Sequence, residues 1–545
     1  MAKIFIFILT ILLFSCDSRA GGQNQSGPAS KAAGDNTPAY GGTLVEGMTA
    51  EPSVLLPVLA GDSASHSVAG NIYNGLVKYA PDLSTVGDLA ESWDISPDGL
   101  TITFHLRKGV HWTDGVEFTS EDVMFGFETI KDDKTPTPYK EDFLQVKTAD
   151  APDNYTFRVT YGKPFAPALN SWGNLVVMPK HLLSGVEITK TPLVRKPVGM
   201  GPFKLDTWVS GQELTLSSNH DYFEGRPYLD KYVYRVIPDQ STMFMALQAG
   251  EVDLMGVTPI QYKRQTNSEY FNANFNKYRY PVFSYTYLGF NLKHRFFADK
   301  RVRQAIAHAI DKDEIIDIVL YGLATPSTGP YVPNTWPYNP NVKKYQFNPE
   351  KAKSLLAEAG WKDSGGVLMK DGVPFEFTIL TNMGNPLRMK TAAIIQWKLK
   401  QVGIRVHIRA LEWSTFLNEF IDKKRFDAVI LGWGIGMDGD QYDIWHSSKT
   451  KEKEFNFVSY ANTEVDELLE TGRRTFDIEK RKAAYYKIQD ILADELPYVF
   501  LYVPDSLVVV NKKFMGITPT TIGIGYNLPK WYVPKTRQKE NVMEK

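Results

Sequence analysis

The chain has 545 residues and a single cysteine, Cys16. One thiol cannot form an intrachain disulfide, so the fold must be held without cysteine cross-links. Charge of one sign is also missing, because 61 basic residues face 62 acidic residues and the net charge is −1. This balance provides no electrostatic footprint for nucleic acid or for an anionic membrane surface. Ligands are therefore expected in clefts.

Catalytic motifs are absent as well. The sequence contains no G-x-S-x-G, no H-E-x-x-H and no phosphate-binding P-loop. Its nine histidines are scattered, without a spacing that indicates a nucleophile or a zinc site. These absences predict a protein that binds rather than reacts, with no cofactor and no catalytic residues.

The N-terminus has the layout of an export signal. An apolar run at 4–14 follows Lys3 and ends before Ser15 and Cys16, and it is too short to span a bilayer. The ending LFSC resembles the bacterial lipobox, in which the cysteine is acylated and becomes the mature N-terminus. We therefore predict a signal peptide over 1–16 and a lipid anchor at Cys16. An ordinary secretory peptide with a chance cysteine is the alternative.

After the cysteine, residues 17–39 are small and polar, with no apolar residue larger than alanine before Thr37. Such a segment cannot bury a core and is predicted to be a flexible linker. About 505 residues follow it, which is more than one hydrophobic core usually serves. Two or more domains are therefore expected.

The folded body changes character along its length. Residues 41–125 contain short alternating runs separated by turn signals such as Pro97-Asp98-Gly99, which predicts a β-rich part. Later segments show helical spacing, with Asp299, Asp311 and Asn348 as N-cap residues. Gly322 is expected to end the second of these helices.

Residues 374–440 carry the clearest pattern, an alternation of strand, helix, strand, helix and strand. This order predicts a parallel sheet with right-handed crossovers. Ligands bind beyond the carboxyl ends of the strands in such sheets. The last strand delivers the loop that begins at Trp433 to this edge, so the loop is the candidate binding site.

The same loop has two alternative interpretations. Gly434 to Gly439 formally matches the dinucleotide pattern G-x-G-x-x-G, but no apolar helix follows it. Three aspartates and a histidine could also hold a metal, although the EF-hand spacing fails. These four residues are Asp438, Asp440, Asp443 and His446.

Residues 89–123 resemble the signature stretch of the peptide- and nickel-type solute-binding proteins that serve ATP-driven importers. Further segments of the same family recur in order, among them GMGPFKL at 199–205, ALQAGEVDL at 246–254 and FNPEKAKSLLAEAGW at 347–361. The resemblance covers nearly the whole mature chain.

The resemblance implies an α/β fold of the periplasmic-binding-protein class II, with two hinged lobes and an extra β-rich domain in the first lobe. The implied boundaries assign 76–185 to this extra domain II and 280–505 to domain III. Domain I is then formed by 40–75, 186–279 and 506–545.

Peptide-binding members of the family pair the backbone of an extended ligand with segments from both lobes. The resemblance places Glu51, Pro52 and Ser53 on one side of the ligand. On the other side it places Trp433, Gly434 and Ile435. It adds Tyr285 and Trp413 as pocket walls, although core packing is an equally good explanation for these two aromatic residues.

One departure from the family pattern concerns the ligand's amino group. Dipeptide- and oligopeptide-binding members have an aspartate three residues after the tryptophan, where this chain has Gly436. The nearest carboxylate is Asp438. Either Asp438 captures the amine from its offset position, or the ends of the ligand are left unanchored.

The expected protein is a monomeric, lipid-anchored extracytoplasmic component of a peptide importer. Its partners are then a peptide ligand, the permease subunits and the membrane that holds the lipid, with no nucleic acid. Alternatives are the same fold binding an oligosaccharide or chelated nickel, an exported hydrolase, and a lipoprotein that acts as an adhesin or sensor.

Overall fold

A computed structural model describes residues 36–137, 139–174 and 177–538. The predicted signal peptide, the acylation site at Cys16 and most of the predicted linker lie outside the described residues. Within those ranges, no helix is both long enough and apolar enough to cross a membrane.

A mixed sheet of twelve strands runs through the molecule. Its strands are Thr43–Met48, Phe203–Val209, Glu213–Ser218, Lys231–Val236, Leu254–Gly256, Phe275–Pro281, Ser284–Phe290, Ala324–Pro326, Glu376–Asn382, Arg405–Leu411, Ala428–Gly434 and Tyr498–Asn511. A separate antiparallel sheet has two strands in the predicted β-rich part, Ala90–Ile95 and Thr101–Leu106, and two after it, Thr156–Tyr161 and Val146–Asp153. The small sheets are Val77–Tyr79 with Thr85–Gly87, and Lys362–Asp363 with Leu368–Lys370 and Val373–Pro374.

Helices cover the sheets. The α-helices are Ser63–Ala69, Ser120–Lys131, Lys140–Phe143, Ala168–Asn174, Lys180–Leu183, Gln240–Ala249, Glu269–Asn274, Lys300–Ala309, Lys312–Leu320, Pro349–Glu358, Pro386–Lys400, Trp413–Thr415, Tyr442–Trp445, Thr463–Arg474 and Ile478–Glu495. Short 3₁₀ helices span Pro57–Leu59, Pro192–Val194, Ser447–Lys449, Gly525–Lys530 and Lys535–Arg537. Two segments are π-helical, Gln261–Gln265 and Phe416–Ile421.

The parallel β-α-β-α-β unit is confirmed. Strand Glu376–Asn382 pairs in parallel with Arg405–Leu411 on one side and with Ala428–Gly434 on the other. Helix Pro386–Lys400 connects the first two strands, as the sequence predicts. The second crossover is a short α-helix that continues as the π-helix Phe416–Ile421 rather than one regular helix.

The predicted N-caps are confirmed. The side chains of Asp299, Asp311 and Asn348 accept hydrogen bonds from backbone N–H groups in the first turns of their helices. The helix after Asp311 ends at Leu320, with Tyr321 already in the left-handed conformation (φ 56°). The helix therefore stops before Gly322, the residue expected to end it.

The long strand Tyr498–Asn511 connects two lobes. Its first part pairs with Ser284–Phe290, and its second part pairs with Phe275–Pro281. The chain crosses between the lobes at 282–283 and again near Pro504, where the N–H of Val282 donates to the Pro504 carbonyl (3.0 Å). We call residues up to 281 together with 505–538 the first lobe, and residues 284–503 the second lobe. The finer domain boundaries stay a prediction.

Each lobe has its own hydrophobic core, as the length of the chain requires. The lobes also contact each other outside the crossing segments. Phe476 of the second lobe packs against the core of the first, and the N–H of Ala166 donates to the Arg473 carbonyl (2.7 Å).

Candidate ligand-binding site

Strand Ala428–Gly434 carries the predicted site residues to the cleft between the lobes. Tyr285 pairs with Trp433 and Ser284 with Gly434 in the antiparallel ladder. The ladder continues for one more bond, in which the N–H of Ile435 donates to the Phe283 carbonyl (2.9 Å). The backbone of strand Ala428–Gly434 is therefore paired along its whole length on this side.

The opposite edge of the same strand is open at its carboxyl end. Parallel pairing with Glu376–Asn382 is found only at Ala428 and Val429. Residues 431–434 thus have no strand partner on that side among the described residues. An exposed backbone edge of this kind can pair with an extended peptide.

Arg388 lies at this open edge. A side chain built on Gly432 would come within 3.2 Å of its guanidinium, and Arg388 Nη1 donates to Asn382 Oδ1 (2.8 Å). Burial lowers the pKa of Arg388, and no carboxylate pairs with it among the described residues. A half-buried cation without a counter-ion favours an anionic group of a ligand. Sequence reasoning missed this residue, because an arginine in the first turn of a helix looks like a solvated side chain.

Aromatic side chains contact Trp433, the predicted tryptophan of the site. The Trp433 ring is half-buried, its Nε1 donates to the hydroxyl of Tyr498 (3.3 Å), and its centroid lies 5.3 Å from that of Phe455. Tyr285 is only 1% exposed and packs in the core behind Trp433. Trp413 is 48% exposed and lies beside Phe416. Contact of these residues with a ligand stays a prediction.

The three residues predicted on the first lobe have different surroundings. Glu51 accepts hydrogen bonds from Trp208 Nε1 (2.6 Å) and Ser210 Oγ (2.8 Å). Burial acts to raise the pKa of Glu51, but these bonds outweigh it and lower the pKa. Pro52 is buried, whereas Ser53 is exposed and donates to Asp62. Of the three, Ser53 is the one exposed to solvent.

Asp438 is held by Arg481. Two hydrogen bonds join the carboxylate to the guanidinium, at 3.0 Å and 2.6 Å, and both side chains are nearly buried. Burial opposes the charge of Arg481, but the Asp438 carboxylate raises its pKa. Because each oxygen already accepts from Arg481, the carboxylate fixes the loop to helix Ile478–Glu495 and is poorly placed to capture an amine.

The neighbouring carboxylates are paired in the same way. Arg473 Nη2 lies 2.6 Å from Asp440 Oδ2, and Lys449 Nζ lies 3.1 Å from Asp443 Oδ1. In the part of the chain that the structure describes, no group of three or more ligating side chains could hold a metal ion. The acidic run after Gly436 therefore serves to join elements within the second lobe.

A cavity of about 410 Å³ is lined by Phe455, whose ring contacts that of Trp433. The first lobe contributes Tyr139 and Asp142 to its wall, and the second lobe contributes Asp443. The hydroxyl of Tyr139 donates to the Ala60 carbonyl (2.8 Å) and lies 2.7 Å from His66 Nε2. Tyr139 was not predicted, since a tyrosine in a proline-containing loop carries no distinctive sequence signal.

Comparisons with known proteins find relatives over most of the chain. The sequence profile of the bacterial extracellular solute-binding proteins, family 5 (middle part), matches residues 84–455. The oligopeptide-binding protein AppA of Bacillus subtilis is 35% identical over 543 residues, which are 97% of this chain and 98% of AppA.

Solved structures show the same fold. AppA of Bacillus subtilis in complex with a nonapeptide superposes with a TM-score of 0.77 at 34% identity, covering 92% of this chain and 100% of AppA. DppA of Helicobacter pylori in complex with the peptide STSA gives 0.76 at 33% identity, covering 91% and 99%. NikZ of Campylobacter jejuni in complex with Ni(L-His) gives 0.77 at 29% identity, covering 90% and 99%. The expected two-lobed α/β fold of class II is confirmed.

Proposed function

Because the chain belongs to the bacterial extracellular solute-binding proteins of family 5, we propose that it captures peptides between its two lobes and delivers them to an ABC importer. In this role the protein binds without catalysis. Its partners are the peptide and the membrane subunits of the importer.

The open edge of strand Ala428–Gly434 carries this proposal. Main-chain N–H and C=O groups at 431–434 pair with any peptide backbone, whatever its side chains. Sugars and chelated metals lack the regular spacing of amides that such an edge matches. AppA and DppA, whose structures contain peptides, are also more similar in sequence to this chain than NikZ is.

The surroundings of the edge suggest how a peptide is oriented. Arg388 provides a cation at one end, suited to the terminal carboxylate of the ligand. Trp433 forms a wall with Phe455, and Tyr139 closes the cleft from the first lobe. Trp413, Tyr285 and the segment 51–53 remain proposed contacts for longer ligands.

We place the protein outside the cytoplasm, where family 5 members act, and propose that a lipid on Cys16 anchors it to the membrane. Replacing Cys16 with serine should abolish labelling by radioactive palmitate while the body still folds. Detergent partitioning that persists in the Cys16→Ser protein would show that the anchor is elsewhere.

Uptake by whole cells tests the transport role. Cells that lack this protein should lose import of isotopically labelled peptides, and the wild-type gene should restore it. The Arg388→Gln gene should restore less import, whereas the exposed Arg409→Gln should restore it fully. Unchanged peptide uptake in the deletion strain would favour an adhesin or a sensor.

A further inference from the structure

Positive charge is concentrated near the end of the chain. Residues 506–538 contain five basic residues and no aspartate or glutamate, and the tail 539–545 adds two lysines and two glutamates. The five are Lys512, Lys513, Lys530, Lys535 and Arg537. The net charge of −1 for the whole chain conceals this local excess. A basic segment of this kind is a candidate contact for an anionic surface.

Backbone contacts bring these residues to one corner of the first lobe. Met515 and Tyr532 exchange two N–H···O bonds, at 2.8 Å and 3.1 Å. The segment after Lys512 therefore lies beside the segment that follows Lys530. Arg537 Nη1 also donates to the Lys512 carbonyl (3.0 Å). The two basic segments are thus neighbours in the fold.

Four of the five cations have no carboxylate partner among the described residues. Lys513 is the exception, because its ammonium lies 2.6 Å from the nearly buried Asp253. Lys512, Lys535 and Arg537 donate to uncharged oxygen atoms. Lys530, Lys535 and Arg537 are also exposed to solvent. We call the four residues without a carboxylate the basic patch: Lys512, Lys530, Lys535 and Arg537.

Neighbouring carboxylates do not cancel the charge of the basic patch. Asp230 lies 2.8 Å from Arg226, and Asp206 lies 3.9 Å from Lys231, so each has a basic partner outside the patch. Glu269 begins the short helix that accepts a hydrogen bond from the patch. Counting Glu269 against the four cations still leaves an excess of positive charge.

The described chain begins at the same corner. The hydroxyl of Tyr532 donates to the Asn36 carbonyl (2.9 Å), and Arg537 Nη2 donates to the Asn36 side chain (3.4 Å). The predicted linker joins Asn36 to Cys16, and a flexible chain of about 20 residues has a root-mean-square span of about 25 Å. A lipid on Cys16 would therefore tether the body to the membrane by this corner.

An exposed tyrosine lies beside the basic patch. Tyr40 is 51% exposed, and its ring stacks on that of Tyr228 at 5.1 Å between centroids. Tyrosine rings and basic side chains both suit the headgroup region of a bilayer. Each basic residue near an anionic bilayer raises the affinity about fivefold. Anionic lipid is thus the partner whose chemistry complements this corner.

We propose that the basic patch docks the first lobe onto the anionic lipid headgroups of the membrane that holds Cys16. The inference rests on the lipid anchor proposed above and goes beyond it, because an anchor alone leaves the body free at the end of the linker. Docking restricts the first lobe to one orientation on the bilayer.

Contact with the bilayer is measured on the mature, lipid-anchored protein. Because acylation blocks Cys16, the variant Thr536→Cys carries one free thiol, placed between Lys535 and Arg537. A fluorophore on this thiol is quenched by spin-labelled headgroups at close contact. At about 0.15 M salt, quenching should be at least about twofold stronger on vesicles of equal phosphatidylglycerol and phosphatidylcholine than on phosphatidylcholine alone. Salt at about 1 M should remove the difference.

Flotation of the same samples separates failure of the anchor from failure of the inference. Protein that floats with both kinds of vesicle but is quenched equally on both would overturn the inference and leave the anchor intact. Protein that floats with the anionic vesicles alone would support the basic patch and contradict the anchor. Protein that floats with neither would overturn both.

Matched charge reversals locate the contact. Lys535→Glu combined with Arg537→Glu should reduce quenching on the anionic vesicles to the level found on phosphatidylcholine. Lys390→Glu combined with Lys400→Glu makes the same charge change at exposed positions of the second lobe and should leave the quenching unchanged. All these residues are at the surface, so both double variants should melt at the temperature of the wild type. An equal loss of quenching in the two double variants would assign the effect to net charge and overturn the inference.

Discussion

Single residues in the cleft have roles that depend on their partners. Asp438 and Arg388 are both ionisable residues near the same strand end, yet Asp438 is neutralised by Arg481 and Arg388 faces no carboxylate among the described residues. The sequence indicated Asp438, because it is the carboxylate nearest to the position of the family aspartate. Asp438 is paired because Arg481 on helix Ile478–Glu495 reaches it. This helix is distant in sequence, so residue spacing alone could not predict the ion pair.

Removing the Trp433 ring should weaken peptide binding. The Trp433→Ala substitution leaves a void beside Phe455 at the end of the open edge, and we expect a loss of about 2 kcal/mol, roughly 30-fold in Kd. Calorimetry with a peptide that the wild type binds measures the loss. Trp397→Ala is the matched control, since this tryptophan is 55% exposed on helix Pro386–Lys400. An unchanged Kd for a folded Trp433→Ala protein would move the site elsewhere.

Arg388 should discriminate between free and amidated C-termini. Arg388→Gln removes the cation at the open edge, so a peptide with a free carboxylate should bind about tenfold more weakly. The same peptide with an amidated C-terminus should bind wild type and variant equally. Calorimetry on the four combinations decides between these results. A variant that still prefers the free carboxylate tenfold would exclude Arg388 as its partner.

The ion pair of Asp438 and Arg481 should stabilise the fold. Arg481→Met leaves a nearly buried carboxylate unpaired and should reduce the free energy of unfolding by about 3–5 kcal/mol. The double variant Arg481→Met with Asp438→Leu should recover most of this loss. Denaturant unfolding of both proteins measures it. Similar stability of the single and double variants would show that the pair is not coupled.

At the scale of elements, local sequence patterns predicted much of the second lobe. The strands of the β-α-β-α-β unit and the N-caps at Asp299, Asp311 and Asn348 follow from periodicity and side-chain chemistry. The π-helix Phe416–Ile421 does not, because its buried residues Phe416 and Ile421 are five positions apart and are placed by tertiary packing. The open edge of strand Ala428–Gly434 could not be predicted either, because the extent of pairing depends on the length and position of the adjacent strand Glu376–Asn382 rather than on local sequence.

Glu46 in strand Thr43–Met48 should make the stability of the fold depend on pH. Burial raises the pKa of Glu46 to about 7, although a hydrogen bond donated by Tyr232 lowers it. A carboxyl whose pKa is raised in the folded state stabilises that state fully below its unfolded value and loses this contribution as pH rises through about 7.

The wild type should therefore lose up to about 3 kcal/mol of stability between pH 4.5 and pH 8 relative to Glu46→Gln. Denaturant unfolding of both proteins at the two pH values measures this difference. Glu213→Gln, at a partly exposed position of strand Glu213–Ser218 in the same sheet, should show no such change. Parallel pH profiles for the wild type and Glu46→Gln would mean that Glu46 titrates normally.

At the scale of the whole molecule, two lobes joined by crossing strands can open and close. The open strand edge lies on the second lobe, whereas Tyr139 belongs to the first, so one peptide can contact both only when the lobes approach. A ligand that prefers the closed state shifts its population.

Small-angle scattering should show this shift. The radius of gyration is expected to fall when a peptide that the wild type binds is added to saturation, and a C-amidated form of the same peptide should cause a smaller change at equal concentration. A radius that stays constant at saturation with the free peptide would contradict a hinged cleft.

The ligand that the protein retains through purification tests the central claim most directly. Native mass spectrometry of the freshly purified protein, followed by denaturation and fragmentation of the released molecule, identifies that ligand without any choice of probe. We predict a mixture of peptides. A single oligosaccharide or a nickel chelate in their place would contradict the account.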